Sequence, residues 1–274
     1  MTVNVSFWGV RGSIPCCSPE YTEYGGNTSC VHIDLDGKTV ILDAGSGLRM
    51  LGNRLAEQNV TDIALLISHA HWDHICGFLF FAPLFKKDSR VKIYASLQQD
   101  GLLANEIFVR LMAPPFFPLP LDGLPSTPRF HDFRASEPFD LFDGQVRVET
   151  IALNHPNNAT GYRLNYKGKS VSYISDHEHG TKEDFDKLAA FVKDSDMMIY
   201  DAMYTPEEYP NFKGWGHSTW EQAALLTRAA NIGKTALFHH APAHTDAMMR
   251  EIEQKAKDFD FRLFAAKENM TVAL

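Results

Sequence analysis

The sequence predicts an α/β fold of two β-sheets packed face to face, with helices on their outer sides. Three observations lead there. Short apolar runs of strand length alternate with helically spaced stretches along the whole chain. The pattern restarts after a proline-rich stretch at 113–128, so two halves of similar make-up follow one another. The 274 residues are 45% hydrophobic, with no Gly/Ser linker, charge block or internal repeat, which suits one large core. A single domain spanning 1–274 is expected.

The elements follow in order. Val3–Trp8 alternates and reads as a first strand. Val31–Asp36 and Lys38–Asp43 read as a hairpin turning at Asp36-Gly37. Leu48–Asn59 has helical spacing, and Thr61–Ser68 is an apolar run typical of a buried strand. Val91–Ser96 reads as a strand and Leu97–Met112 as a helix. Ala113–Pro128 holds six prolines around Phe116 and Phe117, which no regular element tolerates, so it reads as an ordered surface loop. In the second half, 146–153, 159–166 and 169–174 read as consecutive strands, the last two joined at Lys167-Gly168. Lys182–Val192 reads as a helix and Met197–Tyr200 as a short strand. Ser218–Ala230 reads as a helix with Ser218 as N-cap and Glu221 completing a capping box. A strand at 235–238, a helix at 246–259 and a strand at 261–264 close the pattern.

Composition excludes some partners. A formal net charge of −8 weighs against a long nucleic acid, since polymer binding calls for a basic surface. Cys16, Cys17, Cys30 and Cys76 show neither CxxC pairing nor framework spacing, so reduced thiols in a cytoplasmic protein are expected. Met1–Trp8 lacks the basic and apolar regions of a signal peptide. The most apolar stretch, Ile75–Phe85, is too short for a bilayer and contains Pro83, so no membrane partner is expected.

The chemistry concentrates at His69-Ala70-His71-Trp72-Asp73-His74. Three imidazoles and one carboxylate within six residues suit Zn²⁺ or a similar first-row ion. Six residues cannot fold all four groups around one small ion without strain. The natural division gives His69 and His71 to one metal, Asp73 and His74 to a second. Two adjacent metals would share a water, which is a hydrolytic arrangement. Cys76, just beyond, reads as packing rather than ligating. Further candidates stand where strands give way to loops: His155 after 146–153, Asp176 after 169–174 and His239 after 235–238. Each alone reads as a turn former; their recurrence at successive strand ends points to convergence.

This series resembles the ligand set of the metallo-β-lactamase superfamily. The resemblance covers nearly the whole chain and implies the four-layer αβ/βα sandwich of two mixed sheets, with a dinuclear site at one edge. By position it implies His69, His71 and His155 on one metal and Asp73, His74 and His239 on the other, with Asp176 bridging. His240 competes for the last place; His239 is preferred because Leu-Phe-His resembles the family's strand-end pattern. Asp43, in Ile-Leu-Asp-Ala-Gly, matches the family's aspartate that orients a ligating imidazole.

Within the superfamily, His217-Ser218-Thr219 resembles the tRNA 3′-processing (RNase Z) branch. Asp201 matches that branch's acidic residue at the preceding strand end. The implied dyad is Asp201 orienting His217, which protonates a leaving alkoxide. Gly9-Val10-Arg11-Gly12-Ser13 and Gly25-Gly26-Asn27-Thr28-Ser29-Cys30 are similar to small bacterial cyclic phosphodiesterases, with Asn27 a candidate substrate contact. The glycines there read either as close approaches to the metal site or as plain turns. Three departures stand out. No long Gly/Pro-rich arm follows His155, where RNase Z grips tRNA. Ala241 stands where related small enzymes carry an acidic residue. His71 stands where iron redox members have Glu. His177 and His179, flanking Glu178, read as substrate contacts or as solvated loop residues, the latter preferred.

The expected function is a hydrolase with two divalent ions, Zn or Mn, acting on a small or cyclic phosphodiester, with Asp73 at the catalytic centre. Thioester or lactam hydrolysis, RNA 3′-processing and a non-catalytic metal-binding module are the alternatives. Loop 113–128 shapes the substrate mouth or a homodimer contact. Phe116 and Phe117 read equally as stacking platforms for a substrate ring or as packing anchors.

Overall fold

A computed structural model describes residues 2–97 and 101–274. Its strands are β1 (Val3–Gly9), β2 (Cys30–Leu35), β3 (Lys38–Leu42), β4 (Asp62–Ile67), β5 (Arg90–Ser96), β6 (Arg129–Phe133), β7 (Phe139–Leu141), β8 (Val146–Leu153), β9 (Ala159–Tyr166), β10 (Lys169–Ile174), β11 (Met197–Asp201), β12 (Lys234–Phe238), β13 (Leu263–Ala265) and β14 (Thr271–Ala273). They form two sheets of seven, ordered β14-β1-β2-β3-β4-β5-β6 and β13-β12-β11-β10-β9-β8-β7. In the first, pairing is antiparallel from β14 to β3 and parallel from β3 to β6. The second repeats the scheme, antiparallel from β7 to β10 and parallel from β10 to β13.

The strand patterns explain the layering. Alternate residues of the outer strands, such as Val3, Val5 and Phe7 of β1, turn to the space between the sheets. There they meet Tyr162, Tyr173, Ile199 and Phe238 of the second sheet. The central parallel strands are apolar on both faces because helices cover their outer side. Helices α1 (Leu48–Glu57) and α3 (Ala104–Leu111) bury Leu51, Leu55 and Phe108 against Ile41, Leu65 and Ile93. A short helix, α2 (Trp72–Ile75), lies within the histidine-rich run. Helices α4 (Lys182–Val192), α5 (Trp220–Ala229) and α6 (Asp246–Phe259) bury Leu188, Leu226 and Ile252 against Met198 and Leu237. Each such side chain contributes about 1.5–3 kcal/mol through burial. The result is a helix–sheet–sheet–helix sandwich of the expected α/β class.

Several expectations need correction. Strands β6, β7 and β14 were not foreseen. Helix α3 is shorter than 97–112, and residues 98–100 of that reading lie outside the described residues. Loop 113–128 holds a short 3₁₀ turn at Leu121–Gly123. Helix α5 is capped by Thr219, whose hydroxyl accepts the Gln222 N–H at 3.3 Å, and not by Ser218. The Ser218 hydroxyl instead lies 2.9 Å from His179 Nδ1 and 3.1 Å from the Tyr200 hydroxyl. All four cysteines are free thiols. Among the described residues no helix is long and apolar enough to cross a membrane.

Candidate metal centre

The parallel strands of both sheets deliver their C-terminal ends to one edge of the sandwich. His69 follows β4, Asp176 follows β10 and His239 follows β12, while His155 leaves β8. Asp43, Asp176 and His239 each hold a left-handed backbone, with φ of 61°, 59° and 59°. That conformation costs a non-glycine residue about 1–3 kcal/mol and gathers at functional sites. It turns these side chains sharply off their strands towards a shared centre.

His69, His71, His155 and Asp176 offer ligand atoms within 4.8 Å of one another, as do Asp73, His74 and His239. Asp176 joins the groups. Its Oδ2 lies 3.6 Å from both His69 Nε2 and His155 Nε2. Its Oδ1 lies 3.2 Å from His74 Nε2 and 3.3 Å from His239 Nε2. Asp73 Oδ2 lies 3.4 and 3.3 Å from the same two nitrogens. His155 Nε2 and His71 Nδ1 are 3.1 Å apart. The structure thus brings together all seven residues that the sequence singled out. It also separates His239 from His240. The latter turns away, its Nε2 2.9 Å from the Ala266 carbonyl, and burial beside Arg11 pushes its pKa down to about 3.

The surroundings select imidazole tautomers. Asp43 accepts from the Ser68 N–H at 2.6 Å, the Ser68 hydroxyl at 2.8 Å and the Tyr173 hydroxyl at 2.7 Å. Its Oδ2 also lies 2.7 Å from His74 Nδ1, so that nitrogen carries the proton and Nε2 presents its lone pair. His155 Nδ1 donates to the Gly216 carbonyl at 2.8 Å with the same consequence. His69 Nε2 is buried with no hydrogen-bond partner among the described residues.

The electrostatics call for cations. Burial and the neighbouring imidazoles hold His69 well below the usual histidine range, favouring its neutral, ligand form. Burial opposes charge on His74 too, but Asp176, Asp73 and Asp43 outweigh it and raise its pKa well above the usual value. Nitrogen lone pairs and carboxylate oxygens converging in a buried space repel one another unless a positive charge sits among them. The donor set of imidazole and carboxylate fits divalent zinc or manganese.

A dyad flanks the cluster. His217 Nδ1 donates to Asp201 Oδ2 at 2.8 Å, and its ring stacks on His239 with centroids 4.9 Å apart. Asp201 is fully buried and accepts the His177 and Met203 N–H groups at 3.0 and 3.1 Å. Burial disfavours charge on His217, yet Asp201, followed by Asp176 and Asp73, pushes its pKa up to about 9. Asp201 thus keeps a proton on His217 Nδ1 beside the cluster.

Other residues differ from expectation. Asn27 is engaged by two other segments: its side-chain amide donates to Glu268 at 3.1 Å and its side-chain carbonyl accepts from Ser46 at 2.9 Å. Phe116 is 82% exposed, whereas Phe117 packs into the helix-covered core and lies edge-on to Phe80. His177 is buried and His179 half-buried against Tyr209, correcting the solvated reading. Two supports, at Ser13 and Gly216, escaped the sequence reading; the close approach at Gly12 is one of the two readings given above. The Ser13 N–H donates to Asp73 at 2.7 Å. A Cβ on Gly12 would lie 2.4 Å from the His239 ring, so glycine there permits a close approach. A Cβ on Gly216 would lie 2.2 Å from His155 Nδ1.

Comparison with known proteins places this geometry. The model of the β-lactamase superfamily domain matches residues 38–240. The chain belongs to that superfamily. Its fold is shared with YhfI of Bacillus subtilis, a metallo-β-lactamase fold protein (TM-score 0.76, 18% identity, all of both chains covered). A diphosphatase of the PhnP family superposes with a TM-score of 0.71 at 17% identity, over 98% of this chain and 97% of that one. Human tRNase Z, short form, superposes at 0.67 and 20% identity, over 98% of each. Ribonuclease Z of Thermoplasma acidophilum is 22% identical, covering 94% of this chain and 92% of the relative. As a superfamily member with this cluster, the chain is a metal-dependent hydrolase.

Proposed function

We propose that the protein hydrolyses a small or cyclic phosphodiester, of cyclic-nucleotide size. The His217–Asp201 dyad beside the cluster carries this reading. An alkoxide leaves phosphorus poorly unless it is protonated, whereas a thiolate needs no proton donor. His69, His71, His155 and Asp176 would hold one zinc or manganese ion; Asp73, His74, His239 and the other oxygen of Asp176 would hold a second. When bound, such a pair stabilises charge on phosphoryl oxygens and makes a water acidic enough to ionise near pH 7. The chain does the rest. Asp43 and the Gly216 carbonyl hold His74 and His155 in their ligating tautomers. The Ser13 N–H orients Asp73. Asp201 fixes His217 Nδ1, which leaves Nε2 to give its proton to the departing oxygen.

RNA cleavage is the second reading, favoured by the relatives named Ribonuclease Z. Two observations support the smaller substrate instead. β8 and β9 are joined by residues 154–158 alone, leaving no arm there to grip a long partner. The net charge of −8 gives a polyanion little attraction. The test is metal analysis of purified protein with a panel of bis(p-nitrophenyl) phosphate, cyclic nucleotides, a tRNA precursor, a thioester and nitrocefin. Turnover of the small diesters is expected; preference for the tRNA precursor would transfer the assignment to RNA. His217→Ala should lower turnover of the cyclic nucleotides, whose leaving alkoxide needs a proton, about 10²–10⁴-fold with metal content unchanged. A normal rate in that variant would remove His217 from the chemistry.

A further inference from the structure

We infer that Glu178 is a positioning residue for the proton donor, holding the loop that presents His217; this rests on the function proposed above. Glu178 lies two residues beyond Asp176, in a segment pinned to β8: its N–H donates to the Asn154 carbonyl at 2.8 Å, and the Asn154 amide returns a bond to its carbonyl at 3.0 Å. Its carboxylate is buried. Gly214 N–H reaches both oxygens at 2.8 and 2.9 Å, Gly216 N–H reaches Oε2 at 2.9 Å, and the Tyr209 hydroxyl donates to Oε1 at 2.8 Å.

The loop is shaped to receive an anion. Gly214 and Gly216 hold φ of +90° and +87°. Their N–H groups form a concavity of the kind that backbone turns offer to anions, and the protein's own carboxylate fills it. The consequence reaches the site along the backbone. The carbonyl of Gly216 accepts from His155 Nδ1, and the next residue is His217, bound to Asp201. One carboxylate thus sets the register of both a candidate ligand and the acid.

A role in placing the acid is separable from general support of the fold. The experiment measures kcat for methyl aryl phosphates of graded leaving-group acidity in the zinc-loaded wild type, Glu178→Gln, His217→Ala and Tyr209→Phe. A p-nitrophenolate leaves without a proton; a phenolate needs one more. Glu178→Gln should spare the p-nitrophenyl ester and lower turnover of the phenyl ester about 10- to 100-fold, in the direction of His217→Ala. Zinc content should stay at the wild-type level. Tyr209→Phe, which leaves both glycine bonds in place, should behave as wild type. Thermal melting checks folding, and Glu178→Asp, with the charge kept and the reach shortened, is read the same way. An equal loss on all esters, or no loss where His217→Ala shows the leaving-group dependence, would overturn the role of Glu178. If His217→Ala itself shows no such dependence, the acid assignment falls first and this inference with it.

Discussion

The first sheet supplies four candidate ligands from one run of six residues, while the second supplies three from three separate strand ends. The first half is local. Helix α2 begins inside the run, so successive ligands are placed by one short turn, and a single buried carboxylate, Asp43, steadies it. The second half is distributed. His155 depends on a carbonyl sixty-one residues away, and Asp176 and His239 depend on left-handed backbone at their strand ends. The compact half rests on few supports, whereas the distributed half is only as good as each of its distant ones.

Substitutions can break or sharpen that contrast, beginning with the residue common to both halves. Asp176→Ala removes the carboxylate facing four imidazoles, so activity should fall to background and metal analysis should find neither cation retained at full occupancy. A fully loaded, active variant would end the bridging assignment. Asp43→Asn takes from His74 the acceptor that fixes its tautomer; metal affinity or activity should drop about 10–100-fold. Competition with a chromogenic chelator would show whether one cation or both weaken, and loss confined to one would mark the halves as independent. Gly216→Ala tests the distributed half through its backbone. The strain of its φ and the overlap with His155 should cost about 1–3 kcal/mol in urea unfolding; unchanged stability would mean that His155 is not held there. The smallest effects belong far from either half. Phe116→Ala should stay within about 0.5 kcal/mol, whereas the partly buried Phe117→Ala should cost about 1–3 kcal/mol.

Legibility in the sequence followed the same division. The histidine-rich run was readable because its chemistry lies in residue types at close spacing. His155, Asp176, His239, Asp43 and Asp201 became readable through their positions at strand ends and the resemblance they carry, and His217 through the resemblance of His-Ser-Thr at a helix start. The long strands and helices, such as β8 to β10 and α6, were marked by clear periodicity. β7 and β14 span three residues each, too few to show a period, and β6 reads Arg-Phe-His-Asp-Phe after a run of prolines. Supports acting through the backbone left no signal either. The Ser13 N–H, the Gly216 carbonyl and the glycine N–H groups around Glu178 belong to no residue-type pattern. His177 and His179 misled because a polar Asp-His-Glu-His segment implies solvent, whereas these groups are paired internally.

Tyr173 rises from the second sheet to donate its hydroxyl to Asp43, at the end of the first, and Asp43 in turn holds His74. This short relay couples the seam between the layers to the orientation of a ligand. Prising the layers apart withdraws the phenol and releases the imidazole in the same movement. The capacity to hold cations and the cohesion of the sandwich are therefore one cooperative property, and anything that tightens the centre also clamps the two layers together.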